Sequence, residues 1–527
     1  MKDKTKLIEQ FFEKGILLSK DLLEKELLEE GEDNLVGLNN HGNEEGPLVL
    51  QQEFSSIVDQ KINWKKLDNL RVKFEKGNDL RSYQEEIKSL NNFKFSEEKK
   101  LEEVEVKGGG NLEILYSYAA EPKKYTIKDF TKLFISRYKY LENLLRHRQE
   151  LSGVLSIERV INKKEKDKVA VIGLIVEINE TRNNNLIIVI EDLTGRINLL
   201  VSGNKKELFK QAKDLVPDEV VGVVGNSGDK IIFVDTIVWP EIPVNNELKR
   251  LEEEEYAVFL SDVHIGSMDF LEEEFNKFLK WISGEVGTDK QKAIAKKIKY
   301  LFVIGDLVDG VGIYPNQDKE LVIKDIYGQY EESARLLKKI PPHVQIVICP
   351  GNHDAVHLAE PQPAFDDTYV KSLLEMPNVK LVSNPAMITI GKRENSEGMN
   401  VLMYHGYSFD YYVANVDSIR FGGGYNRADL IMKFLLKRRH LAPAFTSTPY
   451  FPSYQEDPLL IKKIPDFFVT GHIHYSVATN YRGVTLISGS CWQKKTSFQE
   501  KLGHEPEPAR VPIVNLKTRE IKILKFI

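Results

Sequence analysis

The chain has 527 residues, too many for one ordinary hydrophobic core, so we expect about three domains. Hydrophobic residues make up 42% and charged residues 29%, which excludes a disordered or membrane-spanning class, and the net charge of −6 does not exclude a local basic groove for nucleic acid. The two cysteines, Cys349 and Cys491, are too few for a disulfide framework or a thiolate metal site, so a metal would need oxygen and nitrogen ligands.

The N-terminal third divides into two predicted segments. Residues 1–95 have apolar residues at helical spacing, for example Leu7, Phe11 and Leu22, and predict a small helical domain. Its first residues, MKDKTKLIEQFFEKG, are charged throughout and unlike a signal peptide, which predicts a cytoplasmic protein without a membrane segment. Residues 96–125 are charged and glycine-bearing, and predict a flexible linker.

Residues 126–245 predict a helix followed by a small β-barrel. Thr126 and Asp129 resemble a capping pair, and an apolar stripe continues to about Arg148. Five short β-type runs follow between Lys168 and Pro243, which favours an OB-fold. Because these strands carry no clear row of aromatic residues, the barrel is interpreted either as a single-strand binding module or as a structural, subunit-docking module.

Residues 255–527 predict an α/β domain, because strands alternate with helical stretches. Five apolar strands end on polar side chains, in the stretches AVFLSDVHIGS, YLFVIGDLVDG, VQIVICPGNHD, NVLMYHGYSFD and PDFFVTGHIHYS. The candidate site residues at these five ends are Asp262, His264, Asp306, Asn352, His353, Asp354, His405, His472 and His474.

A single histidine or aspartate at a strand end is usually a cap or a loop residue. Five such ends together favour a metal site, because ligands collect at the carboxyl ends of the strands in open α/β sheets. Oxygen and nitrogen donors suit Mn²⁺, Fe²⁺, Zn²⁺ or Mg²⁺, and so many donors fit two ions about 3.5–4 Å apart. Two such ions can stabilise the attacking and leaving oxygens of an in-line displacement at phosphorus, so we expect phosphoester hydrolysis.

The motifs D-x-H, G-D, G-N-H-D and G-H-x-H resemble the signature of the calcineurin-like metallophosphoesterases. By this resemblance, the ligands of one ion are Asp262, His264 and His474. The ligands of the other ion are Asn352, His405 and His472. Asp306 resembles the carboxylate that bridges the two ions.

The same resemblance implies a catalytic role for two residues of the G-N-H-D motif. His353 resembles the residue that contacts the phosphate and assists the leaving group. Asp354 resembles its orienting partner. The fold implied is an α/β metallophosphoesterase sandwich, preceded here by an OB-fold β-barrel and a small N-terminal helical domain.

Residues 126–527 are also similar to the small-subunit family of the archaeal family-D DNA polymerases. The stretches YHGYSFDYYVANV, LLKRRHLAPAF and QEDPLLIKKIPDFFVTGHIH carry this resemblance. It implies a 3′ to 5′ exonuclease that proofreads DNA 3′ ends with two divalent ions, Mn²⁺ foremost, in a nucleoid-associated complex with a large catalytic polymerase subunit. The stretch LIEQFF resembles a sliding-clamp peptide but has Thr5 where that motif has glutamine, and an ordinary amphipathic helix explains it equally well.

Two alternatives stay open at the level of sequence. A general metallophosphatase for proteins or small phosphoesters would carry the same five motifs. A non-catalytic scaffold subunit would resemble the accessory subunits of eukaryotic replicative polymerases, although those have lost metal ligands that this chain keeps.

Overall fold

A computed structural model describes residues 16–18, 48–50, 112–119, 124–163, 166–452, 456–496, 499 and 505–527. The chain divides into two compact units, Met1–Ser96 and Glu97–Ile527. In the first unit, β1 (Ile16–Leu18) pairs in parallel with β2 (Leu48–Leu50). The helices predicted within residues 1–95 and the clamp-like stretch LIEQFF lie outside the described residues.

Helix α1 (Ile127–Arg146) begins where the sequence predicted. The Asp129 carboxylate accepts a hydrogen bond from the Thr126 backbone N–H at 2.8 Å, which satisfies one of the donors left unpaired at a helix N-terminus. The apolar stripe of α1 includes the buried residues Leu133 and Leu141. A short helix, α2 (Ile157–Ile161), then leads into the barrel.

Five strands form a closed barrel in the order β4-β5-β6-β8-β7, and all five were predicted. The strands are β4 (Lys168–Glu180), β5 (Leu186–Asp192), β6 (Gly195–Val201), β7 (Val220–Ser227) and β8 (Ile231–Val238). Helix α3 (Lys206–Lys213) connects β6 to β7. Alternate residues of β5, namely Leu186, Ile188 and Ile190, are buried, because successive side chains of a strand point to opposite faces and one face fills the barrel.

The first sheet of the α/β region has the strand order β12-β11-β10-β9-β18-β19. Its strands are β9 (Tyr256–Leu260), β10 (Ile298–Ile304), β11 (Gln345–Cys349), β12 (Val379–Leu381), β18 (Arg510–Asn515) and β19 (Ile521–Lys525). The strands β9 to β12 are parallel. The helices that accompany them along the chain are α4 (Glu272–Ile282), α5 (Asp289–Ala295), α6 (Ile326–Leu337) and α7 (Lys371–Leu374).

The second sheet has the strand order β16-β17-β15-β14-β13-β3. Its strands are β3 (Leu112–Ser117), β13 (Ala386–Ile390), β14 (Met399–Met403), β15 (Phe467–Thr470), β16 (Val477–Tyr481) and β17 (Val484–Ser488). Three of them, β14, β15 and β17, run parallel. The accompanying helices are α8 (Phe409–Asn415), α9 (Asp417–Arg420) and α10 (Ala428–Arg438).

The strand β3 corrects the predicted linker over residues 96–125. Residues 112–117 are not a tether; they pair antiparallel with β13 at the edge of the second sheet. The run LEILYS has the aliphatic and aromatic residues that favour strands. A linker was predicted here because three glycines, at positions 108–110, precede this run.

The two sheets pack face to face around an aromatic and aliphatic core. Phe259 stacks on Phe302 in the first sheet with ring centroids 5.3 Å apart, and lies 6.0 Å from Phe467 of the second sheet. All three side chains are fully buried, and each contributes roughly 2 kcal/mol through removal of apolar surface from water. This packing brings the carboxyl ends of the parallel strands of both sheets to one edge.

Buried ion pairs join the barrel region to the second sheet. The Arg137 side chain of α1 donates to the Asp457 carboxylate at 2.6 Å, and Asp457 also lies 2.8 Å from His440 Nε2. Arg438 of α10 pairs with Glu219 of the barrel at 2.7 Å. Because a buried charge without its partner is costly, these contacts fix the barrel against the α/β region.

Among the residues that the structure describes, no helix is long and apolar enough to cross a membrane.

Candidate metal centre

The nine candidate site residues all lie at the carboxyl ends of parallel strands, where the two sheets meet. The strands β9, β10 and β11 of the first sheet precede six of these residues, and β14 and β15 of the second precede three. Groups of side chains close enough to hold a metal ion form among Asp262, His264, Asp306, His353, His405 and His474.

We call Asp262, His264 and His474 the inner site. The His264 Nε2 atom lies 3.2 Å from His474 Nε2, and His474 Nε2 lies 3.4 Å from Asp262 Oδ1. Each of the three residues is less than a tenth exposed. The His264 Nδ1 atom lies 3.0 Å from the buried Asp309 carboxylate, to which it donates its proton, so Nε2 presents a lone pair to the site.

We call Asn352, His405 and His472 the outer site. The Asn352 Oδ1 atom lies 3.0 Å from both His405 Nε2 and His472 Nδ1. The other nitrogen of His405 donates to the Ile304 carbonyl at 3.0 Å, and that of His472 donates to Asp410 at 3.0 Å. Three lone-pair atoms therefore converge on one point, and such an arrangement needs a cation or a bound proton to be stable.

Asp306 lies between the two sites. Its Oδ2 atom is 3.3 Å from His405 Nε2 and 4.0 Å from His264 Nε2. Burial alone would raise the pKa of Asp306, but the neighbouring His405 ring holds it well below its ordinary value. Burial would likewise lower the pKa of His405, but Asp306 raises it to about 10, so this ring binds a proton when no cation is present. Asp306 therefore lies within reach of both sites, and the oxygen and nitrogen donors around it are compatible with a divalent cation.

The backbone around the centre is held in an unusual conformation. Five of the candidate ligands, Asp262, His264, Asp306, His472 and His474, have φ between 51° and 70°. Such left-handed conformations cost energy in residues other than glycine, and they gather at functional sites where the surrounding structure enforces them. The surrounding structure therefore holds these five residues in conformations that an unconstrained chain would seldom adopt.

Glycine is required at one neighbouring position because of close packing. A Cβ atom at Gly351 would lie 2.2 Å from Asp306 Oδ1. The glycine of the G-N-H-D motif therefore leaves room for the carboxylate that lies between the two sites.

The structure supports a site position for His353 and corrects the expected role of Asp354. The His353 Nδ1 atom lies 2.8 Å from the Asp309 carbonyl oxygen, and the ring packs against that of His264 with centroids 4.7 Å apart. The Asp354 carboxylate instead accepts hydrogen bonds from Gly351 N–H and from the hydroxyl of Tyr330 on α6. Asp354 is buried beneath the loop, so it braces the backbone and does not orient the His353 ring.

Burial and the nearby Asp306 carboxylate raise the pKa of Asp354 to about 7. Its carboxyl group therefore holds a proton up to near-neutral pH.

Sequence reasoning missed three residues that support the ligands. Asp309 and Asp410 each hold the second nitrogen of a candidate histidine ligand. Asn384 Oδ1 accepts the backbone N–H of His405 at 2.9 Å. Asp309 could have been found from its position three residues after Asp306, whereas the sequence carries no signal for Asp410 or Asn384, which reach the site only through the packing of the second sheet.

Several known proteins to which this chain is similar in sequence are subunits of DNA polymerases. A family model that describes the B subunits of DNA polymerases alpha and epsilon matches residues 257–478, a range that includes every candidate site residue. The DNA polymerase II small subunit of Methanothermobacter thermautotrophicus is 40% identical over 403 residues, which are 76% of this chain and 80% of that protein. The protein of the same name from Archaeoglobus fulgidus is 39% identical over 388 residues, 73% of this chain and 75% of its own.

Solved structures are more distant. A structure of an archaeal phosphodiesterase is similar over 51% of this chain and 98% of its own, with 12% sequence identity and a TM-score of 0.25. That likeness is too weak to support an argument about function.

Proposed function

This chain belongs to the family of the archaeal DNA polymerase II small subunits, and we propose that it gives a two-subunit replicative DNA polymerase a metal-dependent 3′ to 5′ exonuclease. The observation that carries the proposal is the convergence of Asn352 Oδ1, His405 Nε2 and His472 Nδ1, each presenting a lone pair to the same point. A subunit with only a scaffolding role would have no need to maintain this arrangement, which without a cation is stable only when a proton is bound, as it is at His405.

In the proposed site, Asp262, His264 and His474 would hold one divalent ion and Asn352, His405 and His472 the other, with Asp306 between them. When bound, such a pair supplies charge neutralisation and activation of water for in-line attack on a phosphodiester. Mn²⁺ is the ion we propose first, and the oxygen and imidazole nitrogen donors also suit Fe²⁺, Zn²⁺ or Mg²⁺.

His353 is the residue of this chain that we assign to proton transfer. Its Nδ1–H donates to the Asp309 carbonyl oxygen at 2.8 Å, which leaves Nε2 as the nitrogen able to face a substrate. Positioned in this way, Nε2 can contact a phosphate oxygen. When the ring is protonated on both nitrogens, it can give the Nε2 proton to the leaving 3′ oxygen as the P–O bond breaks, and regain a proton from solvent.

The partners that we propose follow from the relatives. A small subunit implies a large polymerizing subunit, and proofreading implies that the substrate is the DNA 3′ end that the large subunit has extended. We propose that the closed barrel is an OB-fold that takes part in this assembly, in a complex associated with the nucleoid.

The decisive experiment compares 3′-mismatched with fully paired primer DNA, using the purified chain with Mn²⁺, alone and with the large subunit. We expect nucleotides to be released stepwise from the 3′ end, faster from the mismatched primer because an unpaired end costs less to separate from the template. Release from the 5′ end, or internal cuts alone, would contradict the exonuclease.

The same assay separates the alternatives. Fast turnover of a small aryl phosphate without DNA degradation would indicate a general metallophosphatase. Stable assembly with the large subunit and no metal-dependent hydrolysis of any substrate would indicate a scaffold subunit.

A further inference from the structure

The loop that follows the G-N-H-D motif forms part of the rim of the metal centre. The Gln362 side chain donates to the carbonyl oxygens of Gly351 and His357 at 3.1 Å, which ties His357 to the residue preceding Asn352. On its other side the loop pairs with residues 449–451, since Glu360 N–H donates to the Pro449 carbonyl at 2.8 Å and Phe451 N–H donates to the Glu360 carbonyl at 2.9 Å. His357 and Phe451 are therefore held in a fixed relation to the outer site.

Three rings follow one another along this rim. The Phe451 ring contacts the His357 ring edge to face, with centroids 4.8 Å apart, and stacks on the Tyr125 ring with centroids 5.4 Å apart. His357 is exposed, and Phe451 and Tyr125 are half-buried. We call these three rings the aromatic stack. The stack reaches the surface at His357, on the loop that follows the G-N-H-D motif.

The surroundings of the aromatic stack suit a nucleic acid strand. Lys124 and Lys128, on either side of Tyr125 along the chain, are exposed, and Leu358 next to His357 is 43% exposed. Partial burial lowers the pKa of His357, so its ring stays neutral at physiological pH and offers a π face. Aromatic rings beside basic side chains are the usual means of binding single-stranded nucleic acid without sequence preference.

We propose that the aromatic stack binds nucleobases of the single-stranded segment next to the 3′ end and so guides an unpaired strand into the metal centre. This inference rests on the proposed exonuclease function and adds the selection of single-stranded over paired DNA. Bases in a duplex have their faces covered by neighbouring bases, so only a frayed strand can use the stack.

The test measures binding without hydrolysis, using a short 5′-labelled oligothymidylate, the full-length chain and EDTA in a fluorescence anisotropy titration. The variants are His357→Ala, which changes an exposed side chain, and Phe451→Leu, which keeps apolar volume but removes the ring. The matched control is Phe421→Ala, because Phe421 is 78% exposed, contacts the Arg420 guanidinium and lies outside the rim. We expect each rim variant to raise the Kd about tenfold, within the range for loss of one stacked base, and the control to leave it unchanged.

A second arm uses the same oligonucleotide with abasic positions, which keep the phosphates and remove the bases. Wild-type chain should bind it about tenfold more weakly, and the rim variants should show no further loss. Equal affinity of wild type and variants, equal binding of abasic and intact DNA, or absence of measurable single-strand binding would each overturn the proposal.

The arms also separate this proposal from the exonuclease. If wild-type chain loses affinity on abasic DNA but never degrades DNA with Mn²⁺, the exonuclease fails and the stacking site stands. If DNA is degraded from the 3′ end while the rim variants bind normally, the stacking site fails alone.

Discussion

The inner and outer sites are built from similar donors but are supported differently. In the inner site, His264 is held by Asp309, which is itself buried and accepts hydrogen bonds from the side chains of Gln493 and Gln317. In the outer site, His472 is held by Asp410, whose side chain is 52% exposed. His264 of the inner site is therefore fixed by the protein interior, whereas His472 of the outer site is held from the solvent side.

The difference indicates unequal metal affinities. Ligands whose orientation is set by buried hydrogen bonds lose little entropy on binding a cation, and exposed supports are weakened by water and salt. We expect the inner site to fill first in a metal titration and the outer site to exchange its ion more readily.

The largest effect should come from Asp306→Ala, because this residue lies between both sites. Loss of the shared carboxylate should abolish binding of at least one ion and lower hydrolysis of DNA about 10³-fold or more, since the ions supply several kcal/mol of the transition-state stabilisation. Metal content by mass spectrometry and thermal unfolding check this result, with Asp318→Ala, at an exposed carboxylate, as the control. Wild-type turnover in Asp306→Ala would end the two-metal assignment.

The next effect separates chemistry from metal binding. His353→Ala should keep both ions and lose about 10²–10⁴-fold in hydrolysis rate, the usual contribution of a positioned acid or base. Metal stoichiometry and single-turnover rates are the measurements. A lowered metal content would instead identify His353 as a ligand, since its side chain lies close enough to His264 and Asp306 to share an ion with them.

Asp309→Asn tests the inner site directly. The amide has lost the negative charge that orients His264, and we expect about 10–100-fold weaker binding of one ion with the other unchanged. Isothermal titration with Mn²⁺ resolves the two affinities. Equal weakening of both sites would show that the sites are not independently supported.

Asp410→Asn is the counterpart in the outer site. Because Asp410 is half exposed, solvent screens its interaction with His472, and we expect no more than about a fivefold loss of affinity, increasing at low salt. The same titration at two ionic strengths measures the loss. An effect as large as that of Asp309→Asn would contradict the difference between the sites.

Mild acid should change the difference in metal affinity between the two sites least, because it acts on the stability of the whole fold. Burial and the Arg137 charge lower the pKa of His440 to about 4, so below about pH 6.5 the unfolded chain binds a proton that the folded chain does not. The contribution of His440 to stability should therefore fall between about pH 6.5 and 4, by up to about 3 kcal/mol. Asp354, whose pKa is raised, acts in the opposite direction over the same range, so the His440 contribution is measured as the difference between wild type and a variant without this ring.

The Asp457 carboxylate adds to this loss at lower pH. Burial opposes its ionisation, but Arg137 and His440 hold its pKa below the ordinary value. Urea denaturation of wild type and His440→Gln across this pH range is the measurement, and wild type should lose stability relative to His440→Gln as the pH falls. A loss of metal binding at pH 6 without unfolding would locate the sensitivity in the metal centre.

The sequence was sufficient to predict that the candidate donors gather at one edge of the sheets, but not which residues support them. Asp262, His264 and the other candidates each follow an apolar strand, and a strand end is visible in a linear pattern. Which nitrogen of His472 faces the centre depends on Asp410, and that contact exists only after α8 has packed on the second sheet. The expected contact of Asp354 with His353 failed for a related reason, since neighbours in sequence at a tight turn point in different directions.

The barrel was predicted strand by strand because alternation with a period of two is a local property. The edge strand β3 was missed because its evidence is not local. Five of its six residues are only partly buried, and the sixth, Ser117, is exposed. Their partner β13 lies far along the chain, beyond the barrel and the parallel strands β9 to β12.

The position of β3 also has a consequence for biosynthesis. On the ribosome, β3 emerges before the barrel, and the strand with which it pairs emerges only after the parallel strands β9 to β12. The backbone of β3 therefore stays without its strand partner until most of the polypeptide has been translated. The five strands of the barrel, which lies between β3 and β13 along the chain, are all available much earlier. A fragment expressed from residue 255 onward would lack β3, so β13 would form an unpaired edge of the sheet and could aggregate with other chains. In the intact chain, β3 covers this edge only late in synthesis.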